Sequence, residues 1–77
     1  AHLPIRIGSL IRRLRLKAEL SHEQLSNRSN VHRTYFTSIE NGVVDISAFK
    51  LICICNALKI DPSKFFEILE TEEKTGE

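Results

Sequence analysis

The sequence predicts an all-α fold, a compact five-helix bundle containing a helix-turn-helix. Three observations point there. Apolar residues recur at helical spacing along most of the chain. Only three glycines and two prolines interrupt it, which favours long helices with short connections. Residues 20–42 (LSHEQLSNRSNVHRTYFTSIENG) read as a helix, a tight turn and a second helix presenting one polar face.

Each element has its own signal. Ile7, Leu10, Ile11 and Leu14 share a helical face over residues 5–18, with arginines between them pointing outward. Ser21 with Gln24 forms a capping box, so the next helix starts near His22. Leu25 is its inward anchor, and Ser26 is small where two helices approach. Asn30 suits a left-handed turn. The following helix begins at about His32, turns Phe36 and Ile39 inward, and ends at Gly42 in the left-handed cap position. Asp45 or Ser47 caps a fourth helix over residues 48–58, with Ala48, Leu51, Ile54 or Cys55, and Leu58 inward. Asp61 and Pro62 start a fifth, which carries Phe65, Phe66, Ile68 and Leu69. Residues 71–77 contain no apolar side chain and read as a flexible acidic tail to a domain of residues 1–70.

Within the two-helix unit, Leu25, Val31, Phe36 and Ile39 supply the apolar contacts that fix an interhelical angle. Arg28, His32, Arg33, Thr34, Thr37 and Ser38 stay outside as hydrogen-bonding groups, an arrangement suited to the major groove of double-stranded DNA. Arg33, near the start of the second helix, has the fork geometry to pair with O6 and N7 of a guanine. Thr34, Thr37 and Ser38 follow along the polar face toward base edges, with His32 at the entry. Arg28 and Tyr35 are candidates for phosphate, Tyr35 also for the core.

Composition bounds the alternatives. A chain of 77 residues is one domain with a small core, in the size range where oligomerisation often adds stability. It has no apolar run of about 18 residues and no secretory pattern, so a soluble cytoplasmic protein without membrane contact is expected. Net charge is only +1, but it is unevenly distributed: residues 1–33 hold seven Lys or Arg against Glu19 and Glu23, and residues 34–77 hold four Lys against eight acids. A basic half facing phosphate fits a small DNA binder. Cys53 and Cys55 lie about 200° apart on a helix and cannot share a ligand or a bond. His2, His22 and His32 show no zinc-ligand spacing with them. No nucleophile-elbow motif and no phosphate-binding glycine loop is present, so no enzyme, cofactor, metal or small-molecule ligand is expected.

Four motifs in order, IRRLR at 11–15, LSHEQL at 20–25, IENG at 39–42 and NALKIDPSKFF at 56–66, resemble the lambda-repressor and Cro-like (Xre-type) helix-turn-helix family. The resemblance spans residues 7–69. Arg33-Thr34-Tyr35 and the short length are similar to the controller proteins of restriction-modification systems. The resemblance implies a homodimeric transcription regulator on a pseudo-palindromic operator, acting on its own promoter, and places His22 and Asn41 against phosphates. An antitoxin or phage-type repressor with a protein partner is the alternative, and an interaction module that has lost DNA binding a third. The chain departs from the family pattern at His22 (usually Gln), Ser26 (Ala), Asn30 (Gly) and Lys59 (Gly), so Lys59 has to adopt a left-handed backbone. Phe65, Phe66, Ile68 and Leu69 exceed one narrow stripe and are the candidate dimer interface. A twofold contact there would set half-sites about 10 base pairs apart.

Overall fold

Helices begin and end in this chain where a side chain or a left-handed residue satisfies the free backbone groups. The computed structural model describes residues 3–76, with side chains through residue 72. Its elements are α1 (Leu3–Lys17), α2 (His22–Ser29), α3 (Arg33–Asn41), α4 (Ala48–Ala57) and α5 (Pro62–Gly76). Ser21 Oγ accepts from Gln24 N at 3.1 Å while Gln24 Oε1 accepts from Ser21 N at 2.9 Å, the reciprocal bonds of a capping box. Ser47, rather than Asp45, caps α4 by accepting from Lys50 N at 3.2 Å.

One stop signal is used four times. Glu19, Asn30, Gly42 and Lys59 all have φ between 58° and 73°. The residue after each donates its N–H to a carbonyl five residues back: Leu20 to Arg15, Val31 to Ser26, Val43 to Ser38 and Ile60 to Cys55. This is the Schellman arrangement, with an apolar residue following each left-handed position. Ser26 adds a further lock, because its buried hydroxyl donates to the carbonyl of Val31 across the turn.

The core runs through every helix: Ile7, Leu10 and Ile11 from α1, Leu25 from α2, Phe36 and Ile39 from α3, Leu51, Ile54 and Cys55 from α4, and Phe65 and Leu69 from α5. Leu20 and Val31 complete it from the connections. Helix α1 crosses α3 at Gly8, where an added Cβ would stand 2.2 Å from the carbonyl oxygen of Ile39.

Three expectations are corrected. Ala48 is exposed, because the inward arc of α4 is Leu51, Ile54 and Cys55. Helix α1 starts at Leu3, with Pro4 in its first turn where no N–H is needed. The backbone of residues 71–76, read from composition as a tail, continues α5. Glutamate and lysine are good helix formers, Thr71 Oγ1 donates to Glu67 O at 2.9 Å, and Arg13 pairs with Glu72. Ala1, His2 and Glu77 lie outside the described residues.

Candidate DNA-binding surface

Helix α3 is nine residues long and divides cleanly. Phe36 and Ile39 are buried on one side. At 100° per residue, Arg33, Thr34, Thr37, Ser38 and Asn41 fall within an arc of about 140° on the other. Arg33, Thr34 and Asn41 are exposed, while Thr37 and Ser38 are half-buried. Four of the five candidate base readers, Arg33, Thr34, Thr37 and Ser38, are therefore brought together on one surface. His32 sits just before them and also starts the helix, since its Nδ1 accepts from Thr34 N at 3.2 Å and makes it the N-cap of α3.

Between α2 and the start of α3 lies an open groove of about 540 Å³, lined by Glu23, Asn27, Asn30, His32, Arg33 and Thr34 among others. The sequence alone does not single out Asn27 as a site residue, and marks Asn30 only as a turn residue. The signal that could have found them is the spacing of residues 23 and 27, which puts both on the side of α2 opposite Leu25, with Asn30 at its left-handed end. The two carboxamides offer donors to phosphate, whereas Glu23 opposes it.

The candidate phosphate contacts are placed less uniformly. Arg28 is exposed on the last turn of α2 and does not line the groove. Tyr35 is half-buried and its hydroxyl donates to Asp45 O at 3.3 Å, strapping the α3–α4 connection. Asn41 is exposed at the end of α3. His22 faces inward: Nε2 is 2.9 Å from Glu40 Oε1, Nδ1 is 3.4 Å from Thr37 Oγ1, and the ring meets Phe36 edge-on with centroids 5.3 Å apart.

Glu40 is the hub behind the recognition face. Arg15 reaches it from α1 through Nε at 2.7 Å and Nη2 at 3.3 Å, and donates through Nη1 to Leu20 O at 2.9 Å. No residue signal in the two-helix unit marks this network; IRRLR stands out in the sequence only as a family motif. The charge separation along the sequence is also partly cancelled in space. Arg13 and Arg15 pair with Glu72 and Glu40, and Arg6 donates to Leu69 O. Arg28 and Arg33 make no ion pair among the described residues, which leaves the positive charge of the two-helix unit facing solvent.

The four candidate interface residues separate. Phe65 and Leu69 are in the core of the protomer, so neither has surface to give a partner. Ile68 is half-buried against the core and Phe66 is exposed. The larger exposed apolar side chains elsewhere include Phe49 and Ile52 on the outer side of α4 and Val43 after α3. Cys53 and Cys55 are free; burial pushes the Cys55 thiol up to about 11. Among the described residues, no three His, Cys, Asp or Glu side chains gather as a metal site, and no helix is long and apolar enough to cross a membrane.

A capped helix holding a polar face, fixed by a tight turn to a second helix, is the helix-turn-helix of DNA-binding regulators, and residues 6–65 match the helix-turn-helix domain family. The chain belongs to the control proteins within that class. It is 37% identical over 71 residues to control protein C.MunI of a Mycoplasma species, covering 91% of this chain and 96% of the relative. Control protein C.BamHI of Bacillus amyloliquefaciens is 33% identical over 61 residues, 78% of this chain and 75% of the relative. Among solved structures, the restriction-modification controller protein C.Esp1396I, seen as a tetramer with its natural 35-base-pair operator, superposes with a TM-score of 0.87 at 29% identity, over 94% of this chain and 95% of that one. Controller C.AhdI of Aeromonas hydrophila gives 0.79 at 30% identity, over 82% and 96%.

Proposed function

We propose that residues 1–70 form the DNA-binding unit of a restriction-modification controller that regulates its own promoter as a homodimer on a pseudo-palindromic operator. The observation that carries this reading is the α3 surface itself: Arg33, Thr34, Thr37 and Ser38 on one arc, with Phe36 and Ile39 locking the other. Arg33 reads a guanine edge, and Thr34, Thr37 and Ser38 read neighbouring bases, while His32 keeps the start of α3 in register. Arg28, Asn41, Asn27 and Asn30 hold phosphates. His22 acts on the reading face from behind, and Tyr35 holds the α3–α4 connection. The protein works in the cytoplasm and by binding alone, without catalysis.

The twofold contact belongs to the outer face of α4. Only Lys50 and Asn56 in that helix are polar, so both its sides are apolar, and a helix apolar all round calls for cover on both. The bundle covers Leu51, Ile54 and Cys55, and leaves Phe49 and Ile52 for the second copy.

Fluorescence anisotropy with DNA from upstream of the protein's own gene, against a scrambled duplex, tests the reading. Affinity should favour the native duplex and fall steeply between about 50 and 200 mM salt. Arg33→Ala should lose the preference while keeping binding to both. Equal, salt-insensitive affinity for the two duplexes would sink the assignment.

A further inference from the structure

His22 stands in a hydrogen-bond chain whose proton order depends on whether its ring carries one proton or two. Glu40 is an acceptor when ionised, and its side chain is only 3% exposed beside Arg15, so His22 Nε2, 2.9 Å away, has to be the donor. On the other side of the ring, Thr37 Oγ1 donates its one hydrogen to Arg33 O at 3.0 Å. A neutral ring would then point the lone pair of Nδ1 at the lone pairs of Thr37 Oγ1, 3.4 Å away. The imidazolium carries the run through to Arg33 O, with Nε2–H donating to Glu40, Nδ1–H to Thr37, and Thr37 to Arg33 O, whereas a neutral ring ends it at Nδ1 with Thr37 as the donor.

We propose that His22 is a positioning residue for base reading, whose protonated form fixes the Thr37 hydroxyl on the recognition helix. The inference rests on the DNA-binding reading above and deepens it. With the ring protonated, Thr37 keeps its proton on Arg33 O and presents one lone pair and its methyl outward. That combination accepts from an exocyclic amine of adenine or cytosine, or packs on a thymine methyl. With the ring neutral, the hydroxyl is drawn away to Nδ1 and its bond to Arg33 O is lost. Discrimination between duplexes therefore follows the charge on the ring and rises as pH falls.

The charged groups about the ring are Glu40 on α3 and, behind it, Arg15 on α1. Glu23 follows His22 on α2 with its side chain in the groove toward Arg33. Among the described residues, α4 and α5 place no charged side chain in hydrogen-bond contact with His22.

The experiment measures the ratio of affinities for specific and scrambled duplexes from pH 8 to pH 6. One net hydrogen bond corresponds to about a fivefold change in that ratio. Wild type should show it, and the His22→Gln profile should lack that rise. Thr37→Val should lack it too, and the double variant should lose no more. His32 is present in all four, so each variant is read as its difference from wild type. A pH response retained by Thr37→Val would mean that His22 acts directly on phosphate, and one retained by His22→Gln would assign the response to another group; either overturns the proposal. If wild type fails to discriminate at any pH, the DNA-binding reading falls instead. The spectra of the free protein then still decide: Thr37 methyl carbon-13 resonances that do not follow protonation of the His22 ring, read from its nitrogen-15 resonances, overturn the positioning role.

Discussion

The guanidinium of Arg15 donates through Nε to Glu40 Oε2 at 2.7 Å, and the two side chains are only 9% and 3% exposed. This pair ties the end of α1 to the end of the recognition helix. Desolvating two charges is costly, and the cost is offset only because every lobe finds a partner: Leu20 O for Arg15, His22 for Glu40. Removing one member leaves a buried charge alone. Glu40→Ala should therefore lose about 3 to 5 kcal/mol of stability in a urea titration. The double variant Arg15→Met/Glu40→Leu should lose less than either single truncation. Additive losses would mean the pair is not coupled in the folded protein.

Gly8 should tolerate no side chain. A Cβ there would lie 2.2 Å from Ile39 O and 2.9 Å from Glu40 O, both backbone atoms that cannot swing aside. Alanine is the better helix former by about 1 kcal/mol, so helix propensity alone predicts that Gly8→Ala stabilises. The crossing predicts the opposite sign, a net loss of about 1 to 3 kcal/mol as α1 and α3 are forced apart. Chemical denaturation with an unchanged m-value checks the sign.

The contrast between Gly8 and Gly42 shows which features the sequence carried. Gly42 is legible locally as a left-handed cap, like the capping box of Ser21 and Gln24 and the turn at Asn30, although its close approach to Ile5, 2.7 Å from an added Cβ to Ile5 Cα, is not. The polar face of α3 was legible for the same reason, since a helix of known phase places Arg33, Thr34, Thr37 and Ser38 together. Gly8 depends on a partner about thirty residues away in sequence, and the Arg15–Glu40–His22 network joins three helices. Periodicity does not encode which helices touch. Phe65 and Leu69, expected at an interface, turn into the core of the protomer, because the number of apolar residues on α5 says that some are exposed but not which.

Lys59 and Glu19 occupy left-handed positions that suit glycine, with φ of 60° at each. Such a backbone costs a residue with a Cβ about 1 kcal/mol, and Asn bears it better than Lys or Glu. Lys59→Gly and Glu19→Gly should each raise stability by about 1 kcal/mol, less the extra freedom that glycine gives the unfolded chain. Asn30→Gly, at φ 58°, should change little. Thermal melts of the three variants under one condition give the comparison, and a loss at Lys59 would refute the strain argument.

Cys55 gives the protein an alkaline limit. Burial in the core raises its thiol from 9.0 to about 11, so the folded state holds the neutral form. A raised folded value contributes its stability fully below pH 9 and loses it as pH rises through 11. The urea midpoint of wild type should accordingly fall more between pH 9 and 11 than that of Cys55→Ala, which shares every other titrating group. Equal falls would show that the thiol is not desolvated.

The outer face of α4 carries the last expectation. Phe49 is 70% and Ile52 45% exposed, and Val43 is 71% exposed. Exposed apolar side chains scattered singly are ordinary, but here two of them lie on a helix whose opposite side is already core. Phe49 and Ile52 are three residues apart and share one arc with half-buried Cys53. Phe49→Glu removes no contact within the protomer core, so helix content by circular dichroism should stay the same. Sedimentation at micromolar concentration should change from dimer to monomer. Operator affinity should fall with it, because a single recognition helix reads one half-site. Leu69→Glu should behave differently and unfold the protein, since Leu69 is only 5% exposed. If Phe49→Glu remains dimeric while Phe66→Glu dissociates, the twofold contact lies on α5 instead.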